Sequence, residues 1–481
     1  MIIKYFLIAI IAMALCLFFV FVFPNSVGDG TIYMLVASNI LNGCGVSMSE
    51  LGGEACIPHF GGNQGPGYPA FIALIWSLSG HSNLAVRLVQ ATIYVISIIY
   101  LVHALRHHTK SLNQALVVGF ILAVSPLHMA WSRFILTETL TLAGTLWVFA
   151  ELVKSFDNCK LRVFPIGLAL TAATFIRLDA ILLVIPIALT AFMIHRPFEA
   201  FKRGLVISLV LAIPWFGWLA RNAHVGLDNI FKPVIVEIFE ESPGIFNWTR
   251  TWSTTQYSSN AVHYPVHNLA YDEIRINNKA YSSQEEMKAV NALTKELQNF
   301  TNKPFPKHID NQFAVLAENR KFEQPFKFFF IVPMKRIVNF WFNFNAGYGW
   351  PGFGNRLSAQ DRLDLSEGGF VKKLQLVKDY PIIATGRIIT QIWKLLFYLG
   401  FGLSLWLTFK NKTLRHRKLV FLVFSFIVVR SYLAGYMNII EARYSIMQMP
   451  LIELVVALVF TDALSNWRAN RVVLSFKRKT Y

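Results

Sequence analysis

The chain has 481 residues, of which 54% are apolar and 15% charged, with a mean hydropathy of +0.46. Soluble domains carry about 25% charged residues, so this composition excludes an ordinary soluble enzyme, a disordered protein and a disulfide scaffold. A formal net charge of +18 invites a nucleic-acid partner, but no nucleic-acid fold signature accompanies it; Lys and Arg instead sit between apolar runs, as in helical membrane proteins.

In chain order, the first apolar run is Tyr5–Phe23, preceded by Lys4. It is long and lacks a small-residue cleavage site, which makes it a retained span rather than a signal peptide. Further spans are expected over 83–105, 112–127, 136–153, 163–176, 180–194, 204–220, 386–408, 419–437 and 444–464, ten in all. Each is an apolar run of a length suited to a hydrocarbon core of about 30 Å, and none alternates as the strand of an outer-membrane barrel does. With the N-terminus in the cytoplasm, the inner segments become Arg106–Lys110, Lys154–Arg162, His195–Arg203, Lys410–Lys418 and the tail after Trp467, all net basic. That is the positive-inside pattern, and it places both termini inside a plasma membrane, with a bacterial inner membrane the expected home.

Two outside segments are large. The first, 24–82, contains Ile32–Leu41 and Pro69–Leu78, apolar stretches too short to span and suited to helices lying in the interface. Cys44 and Cys56 fall in this loop and suit a disulfide in an oxidising compartment; their spacing alone leaves the pairing open. The second, 221–385, nearly balances its charges and scatters Tyr, Trp and Phe, as a globular or interfacial segment does. The expected organisation is a transmembrane module over 1–220 with the 24–82 loop as its catalytic part, the 221–385 segment, a three-helix membrane block over 386–465 and a basic cytoplasmic tail over 466–481.

The polar residues gather at the outer ends of spans. Asp29 follows the first, Arg133 and Glu138 flank the third-to-fourth turn, and Arg177 and Asp179 occupy the fifth-to-sixth turn. Arg221 ends the seventh span, and Glu441 and Arg443 open the last. Acids and arginines at one membrane face suit a phosphorylated headgroup whose tail stays in lipid, because the guanidinium fork makes paired, charge-assisted bonds to phosphate. Each residue also has a plainer reading. Asp29 sits where a helix N-cap would. Glu138 suits the dipole of the helix it opens, and Arg177, Arg221 and Arg443 suit snorkelling anchors. Glu441 with Arg443 reads as a surface ion pair of little energetic weight.

At these positions the chain resembles a known family. Gly28-Asp29-Gly30-Thr31-Ile32-Tyr33 with Ala37 and Ile40-Leu41-Asn42-Gly43 is similar to the first outside loop of GT-C glycosyltransferases, in particular relatives of the protein mannosyltransferases and the lipid A aminoarabinose transferase. Gln64-Gly65-Pro66-Gly67-Tyr68-Pro69-Ala70-Phe71 resembles their second loop motif, with Gln64 and Gly65 in place of the usual Arg and Pro. The stretch Arg133-Phe134-Ile135-Leu136-Thr137-Glu138 resembles their R-x-x-x-T-E turn. Phe175-Ile176-Arg177, Pro214-Trp215 with Arg221-Asn222, and Glu441-Ala442-Arg443-Tyr444 with Pro450 resemble later signatures.

The resemblance implies an all-α polytopic membrane protein of GT-C type. It implies an inverting transferase moving a sugar from a polyprenyl-phosphate donor to a glycan, lipid or protein acceptor on the non-cytoplasmic face. Asp29 falls on the family's catalytic base. Arg133, Arg177, Arg221 and Arg443 become donor-phosphate candidates, Glu138 and Glu441 acceptor-side or auxiliary acids, and Tyr33 and Tyr68 walls of the sugar pocket. Glu50, Glu54, His59 and His81 are scattered rather than clustered, so no obligatory metal or other cofactor is expected. The competing readings are a transporter or flippase for a lipid-linked substrate and an inactive membrane scaffold. Transporters tend to show internal repeats and midplane charges; here no repeat is present, and the charges within spans are chiefly Lys394 and Arg430.

Overall fold

The computed structural model describes residues 2–23, 28–49, 56–59, 65–227, 243–343, 349–350, 375, 377–410, 416–439 and 441–479. Helices dominate; among the described residues there is no named strand, only an isolated antiparallel bridge between Ser47 and Pro58. The chain divides into two units: Met1–Ile230 with Gly347–Phe426 and Ile446–Tyr481, and Phe231–Ala346 with Ile427–Ser445.

The first unit runs α1 (Ile2–Val22), α2 (Asp29–Leu41), α3 (Gly67–Ser79), α4 (Asn83–Thr109), α5 (Leu112–Val124), α6 (Pro126–Met129), α7 (Glu138–Asp157), α8 (Val163–Ile176), α9 (Val184–Ile194) and α10 (Pro197–His224). Caps explain several starts. Ser82 accepts from the Ala85 amide at α4 and Ser111 from the Gln114 amide at α5, while Pro197 begins α10 at a position where its missing N–H costs nothing.

Helices occupy all ten expected span segments. Six of them are long and apolar enough to cross a membrane: Ile2–Val22, Asn83–Thr109, Pro197–His224, Pro381–Lys410, Arg417–Tyr436 and Arg443–Ser465. A seventh is a bent pair, Leu112–Val124 with Pro126–Arg133, angled at 45°. The expected unbroken helix over 112–127 is thus interrupted at Ser125, whose ψ of 116° is extended. The cause is local: the ring of Pro126 disfavours the helical region for the residue before it. Val163–Ile176 and the stretch Leu178–Ile194 are shorter apolar helices. α7 is long, but it carries Glu138, Glu151, Lys154 and Asp157.

α7 is buried along almost its whole length, so its polar residues need internal partners. The hydroxyls of Thr141, Thr145 and Ser155 donate to the carbonyls of Thr137, Thr141 and Glu151 at 2.7, 2.9 and 2.7 Å. These three hydroxyls are satisfied within the helix itself, while the buried Thr139 hydroxyl makes no hydrogen bond among the described residues, and α7 acts as the central post on which α4 and α8 pack.

The second unit contains α11 (Pro243–Arg250), α12 (Gln256–His267), α13 (Gln284–Leu297), α14 (Lys307–Glu323) and α15 (Val332–Trp341), the last preceded by a π-helical turn at Lys327–Ile331. Its core gathers Phe246, Trp248, Tyr271, Leu297 and Phe313. Buried Glu286 accepts from Trp248 Nε1 at 2.8 Å and pairs with Arg320 at 2.6 Å. Arg336, 1% exposed, donates to the carbonyls of Ser253, Arg250 and Gly435 at 2.8, 2.6 and 2.9 Å. Beyond these lie α16 (Pro381–Lys410), α17 (Arg417–Tyr436) and α18 (Met449–Lys479).

Candidate functional site

The hub of the first unit is the turn from Ala130 to Glu138. It begins as a 3-10 helix over Ala130–Arg133, leaves it at Phe134 in an extended conformation, and enters α7 at Glu138. Segments distant in sequence close on it. Gly30, second residue of α2, packs so tightly that an added Cβ would lie 2.8 Å from the Ile135 carbonyl oxygen. Only glycine permits that approach, and it brings the N-terminus of α2, with Asp29, against the turn. Asp29 is half-buried and is the first residue of the helix; the N-cap position belongs to Gly28, at φ 73°, and no side-chain cap bond is made there. The N-cap reading of Asp29 therefore does not hold.

The second motif closes in the same way. A Cβ at Gly67 would meet the Phe175 carbonyl carbon and oxygen at 2.6 Å, which seats the start of α3 on the end of α8, just before Arg177. Tyr33 lies one turn beyond Asp29 and shares its helix face. Its ring meets that of Tyr68 edge-on at 5.2 Å, and both residues are buried. Gln64, the departure from the motif, lies outside the described residues.

α8 stops at Ile176 because Arg177 turns extended, at φ −154°. From that corner the buried Arg177 side chain donates to Glu138 Oε1 at 3.2 Å, Thr137 Oγ1 at 3.2 Å and Asp179 Oδ1 at 2.9 Å. Glu138 is buried as well, and Tyr68 stands within electrostatic range of Glu138, Tyr33 and Arg87. The Phe175 ring packs at 4.6 Å, tilted by 46°, on that of Trp215, whose indole donates to Thr174 at 3.4 Å, so the Pro-Trp motif of α10 braces the same corner.

The other predicted arginines make different contacts. Arg133 donates to the carbonyls of Gly349 at 2.9 Å and Phe23 at 3.2 Å, fastening the turn to the end of α1. Arg221 donates to the carbonyls of His59 at 2.9 Å and Val46 at 2.7 Å, clamping the loop that the Cys44–Cys56 disulfide also closes. Burial and then the Arg221 guanidinium lower the pKa of His59 to about 4, so its imidazole is neutral at physiological pH. Glu441 and Arg443 belong to the second unit and pair with each other at 2.9 Å.

One residue of this constellation escaped the sequence reading. Gln90, fully buried in α4, accepts from the Tyr68 hydroxyl at 3.1 Å and donates to the carbonyls of Phe134 at 2.6 Å and Ser132 at 3.3 Å. It ties α3 and α4 to the turn. The available signal was an amide one turn from Arg87 inside a predicted span, where an unpaired polar group would be costly. Among the described residues no group of three His, Cys, Asp or Glu is placed to hold a metal ion.

Residues 63–218 match the model of the dolichyl-phosphate-mannose-protein mannosyltransferase family, a stretch that contains Tyr68, Gln90, the 130–138 turn and Arg177. No curated protein and no solved structure matches the chain. The matched stretch, about a third of the chain, covers the helices that build this corner and is similar to a membrane glycosyltransferase family of the GT-C type; among the described residues the chain is helical, with six or more candidate membrane spans, as a multi-pass membrane protein is.

Proposed function

We propose that the chain transfers a sugar, with inversion, from a polyprenyl-phosphate donor to a glycan, lipid or protein acceptor. We place the reaction at the membrane face opposite the basic loops, with both termini in the cytoplasm. The observation that carries this reading is the gathering of the motif segments at one corner: Gly30 on Ile135 and Arg177 on Glu138 at the 130–138 turn, with Gly67 on Phe175 and Tyr33 on Tyr68 beside it.

Asp29 takes the proton of the acceptor hydroxyl as its oxygen attacks the anomeric carbon. The bond from that carbon to the carrier phosphate breaks, and the electron pair leaves with the phosphate. A lipid phosphate needs positive charge more than it needs a proton. Arg177 supplies it from the corner beside Glu138, while Tyr33 and Tyr68 wall the sugar subsite. Arg133 and Arg221 contribute by holding the turn and the loop through backbone carbonyls. The transfer requires no metal in this scheme, and a chelator leaves the rate unchanged.

The test is Asp29→Asn in membranes supplied with a labelled polyprenyl-phosphate sugar. Losing the base lowers turnover by about 10²–10⁴-fold with little change in donor binding. Transfer at the wild-type rate would remove Asp29 from the mechanism.

A further inference from the structure

A hollow of about 530 Å³ runs between α4, α7 and α8. Small residues open it (Ala143, Gly144, Ala169 and Ala172), and its lining is almost wholly apolar. The charged groups that line it, Glu151 and Arg162, lie at one end only. There Glu151, 0% exposed, pairs with Arg162 at 2.8 Å and accepts a hydrogen bond from the Tyr100 hydroxyl. The Lys154 ammonium stands 3.7 Å from the centre of the Tyr100 ring and also lines a second, polar hollow with Lys110, His107, His108 and Asp157. An apolar slot thus opens beside a basic hollow, with Tyr100 and Lys154 at the junction. Lys110, Lys154 and Arg162 outnumber Glu151 and Asp157, leaving the junction net positive before either histidine is counted.

The dimensions suit one kind of occupant. Leu140 and Glu151 mark the two ends of the slot on α7, and at about 1.5 Å per residue they stand about 16 Å apart. One leaflet of a hydrocarbon core of about 30 Å has the same depth. We propose that this is a binding site for an anionic glycerophospholipid, with one acyl chain in the slot and the phosphate in the basic hollow. Its charged end lies at the end of α7 remote from Glu138, while its apolar end, at Leu140 and Ile176, comes close to Glu138 and Arg177 in sequence. Neither Arg177 nor Glu138 lines the slot, so a carrier phosphate held at the candidate active site is not what its charged end receives. The inference does not depend on the proposed reaction.

The test titrates the full chain in detergent with phosphatidylglycerol, with phosphatidylcholine of the same chains, and with a polyprenyl monophosphate, read by native mass spectrometry. The expected result is one phosphatidylglycerol per chain, bound about tenfold or more tightly than phosphatidylcholine, a preference of the size two basic residues confer near an anionic headgroup. The double variant K110Q/K154Q leaves the Glu151–Arg162 pair intact and erases the preference. Ala169→Trp fills the slot and abolishes retention of both phospholipids. Equal binding of the two phospholipids by the wild type, or retention by K110Q/K154Q of the full preference, overturns the proposal. Displacement of phosphatidylglycerol by polyprenyl monophosphate at lower concentration also overturns it, and gives the slot to the carrier lipid.

Discussion

Replacing Arg177 with methionine tests the corner on which the candidate site is built. Glu138 is 1% exposed, and among the described residues its hydrogen-bond donor is Arg177. The variant therefore leaves a carboxylate buried without a counter-charge, at a cost of about 3–5 kcal/mol. Glu138→Gln is milder. The amide oxygen still accepts from Arg177, and Arg177 keeps Asp179 at 2.9 Å, so the loss is that of one charge-assisted bond, about 1–2 kcal/mol. Converting both together, Arg177→Met with Glu138→Leu, removes the pair for apolar groups of similar volume, a change that is often neutral. Asp179 tolerates it because its side chain is 27% exposed and can turn to water. The expected order of thermal midpoints, measured for the full chain in detergent, is wild type near the double variant, then Glu138→Gln, then Arg177→Met. A double variant as unstable as the sum of Arg177→Met and Glu138→Leu, each measured alone, would refute the claim that the two charges compensate each other.

Gln90→Leu leaves the carbonyls of Ser132 and Phe134 and the Tyr68 hydroxyl without their shared partner; at about 1–3 kcal/mol for each unsatisfied buried group, sugar transfer falls at least about tenfold, and an unchanged rate would show that the turn is held without it. Opening the Cys44–Cys56 disulfide, which closes a sequence separation of 12, loosens the loop by about 3 kcal/mol in the chain-entropy account. Limited proteolysis within 44–59 rises modestly on reduction and steeply when Arg221→Ala is added, because that arginine still grips Val46 and His59; equal cleavage in the two cases would argue against the clamp. In the second unit, burial and then the Arg336 guanidinium lower His263 to about 4, so the unfolded chain takes up a proton below about 6.5 that the folded chain refuses. Stability of that unit is complete above this range and falls as pH drops from about 6.5 to about 4. Amide protection factors across 243–341, taken relative to the intrinsic exchange rate at each pH, fall over that interval in the wild type and stay flat in His263→Gln; a fall in both would exclude His263 as the cause.

Much of the helical fold, and the segments that meet at the candidate site, were readable in the residues because the relevant features are local. Apolar run length and basic loops locate the helices, and all ten expected span segments are helical. Gly30 and Gly67 stand where two backbones meet, and the motif residues Asp29, Tyr33, Tyr68, Arg133, Glu138 and Arg177 all fall within the first unit. The break at Ser125 was also present in the chain, in the proline that follows it, but it was hidden by the apolar residues on either side.

The roles of the arginines were not readable. A guanidinium at the end of a span suits phosphate, lipid headgroup or backbone carbonyl equally well, and its type and position do not say which partner it meets. Arg133 and Arg221 went to carbonyls, the latter's at Val46, 175 residues away, while Arg177 went to a carboxylate 39 residues away. By itself, the order of residues determined a helical membrane chain and the positions at which chemistry can gather, because hydropathy and helix periodicity are properties of neighbours. Which side chains satisfy one another was decided by tertiary closure, since in a core without water each buried donor must take whatever acceptor the packing of distant helices delivers.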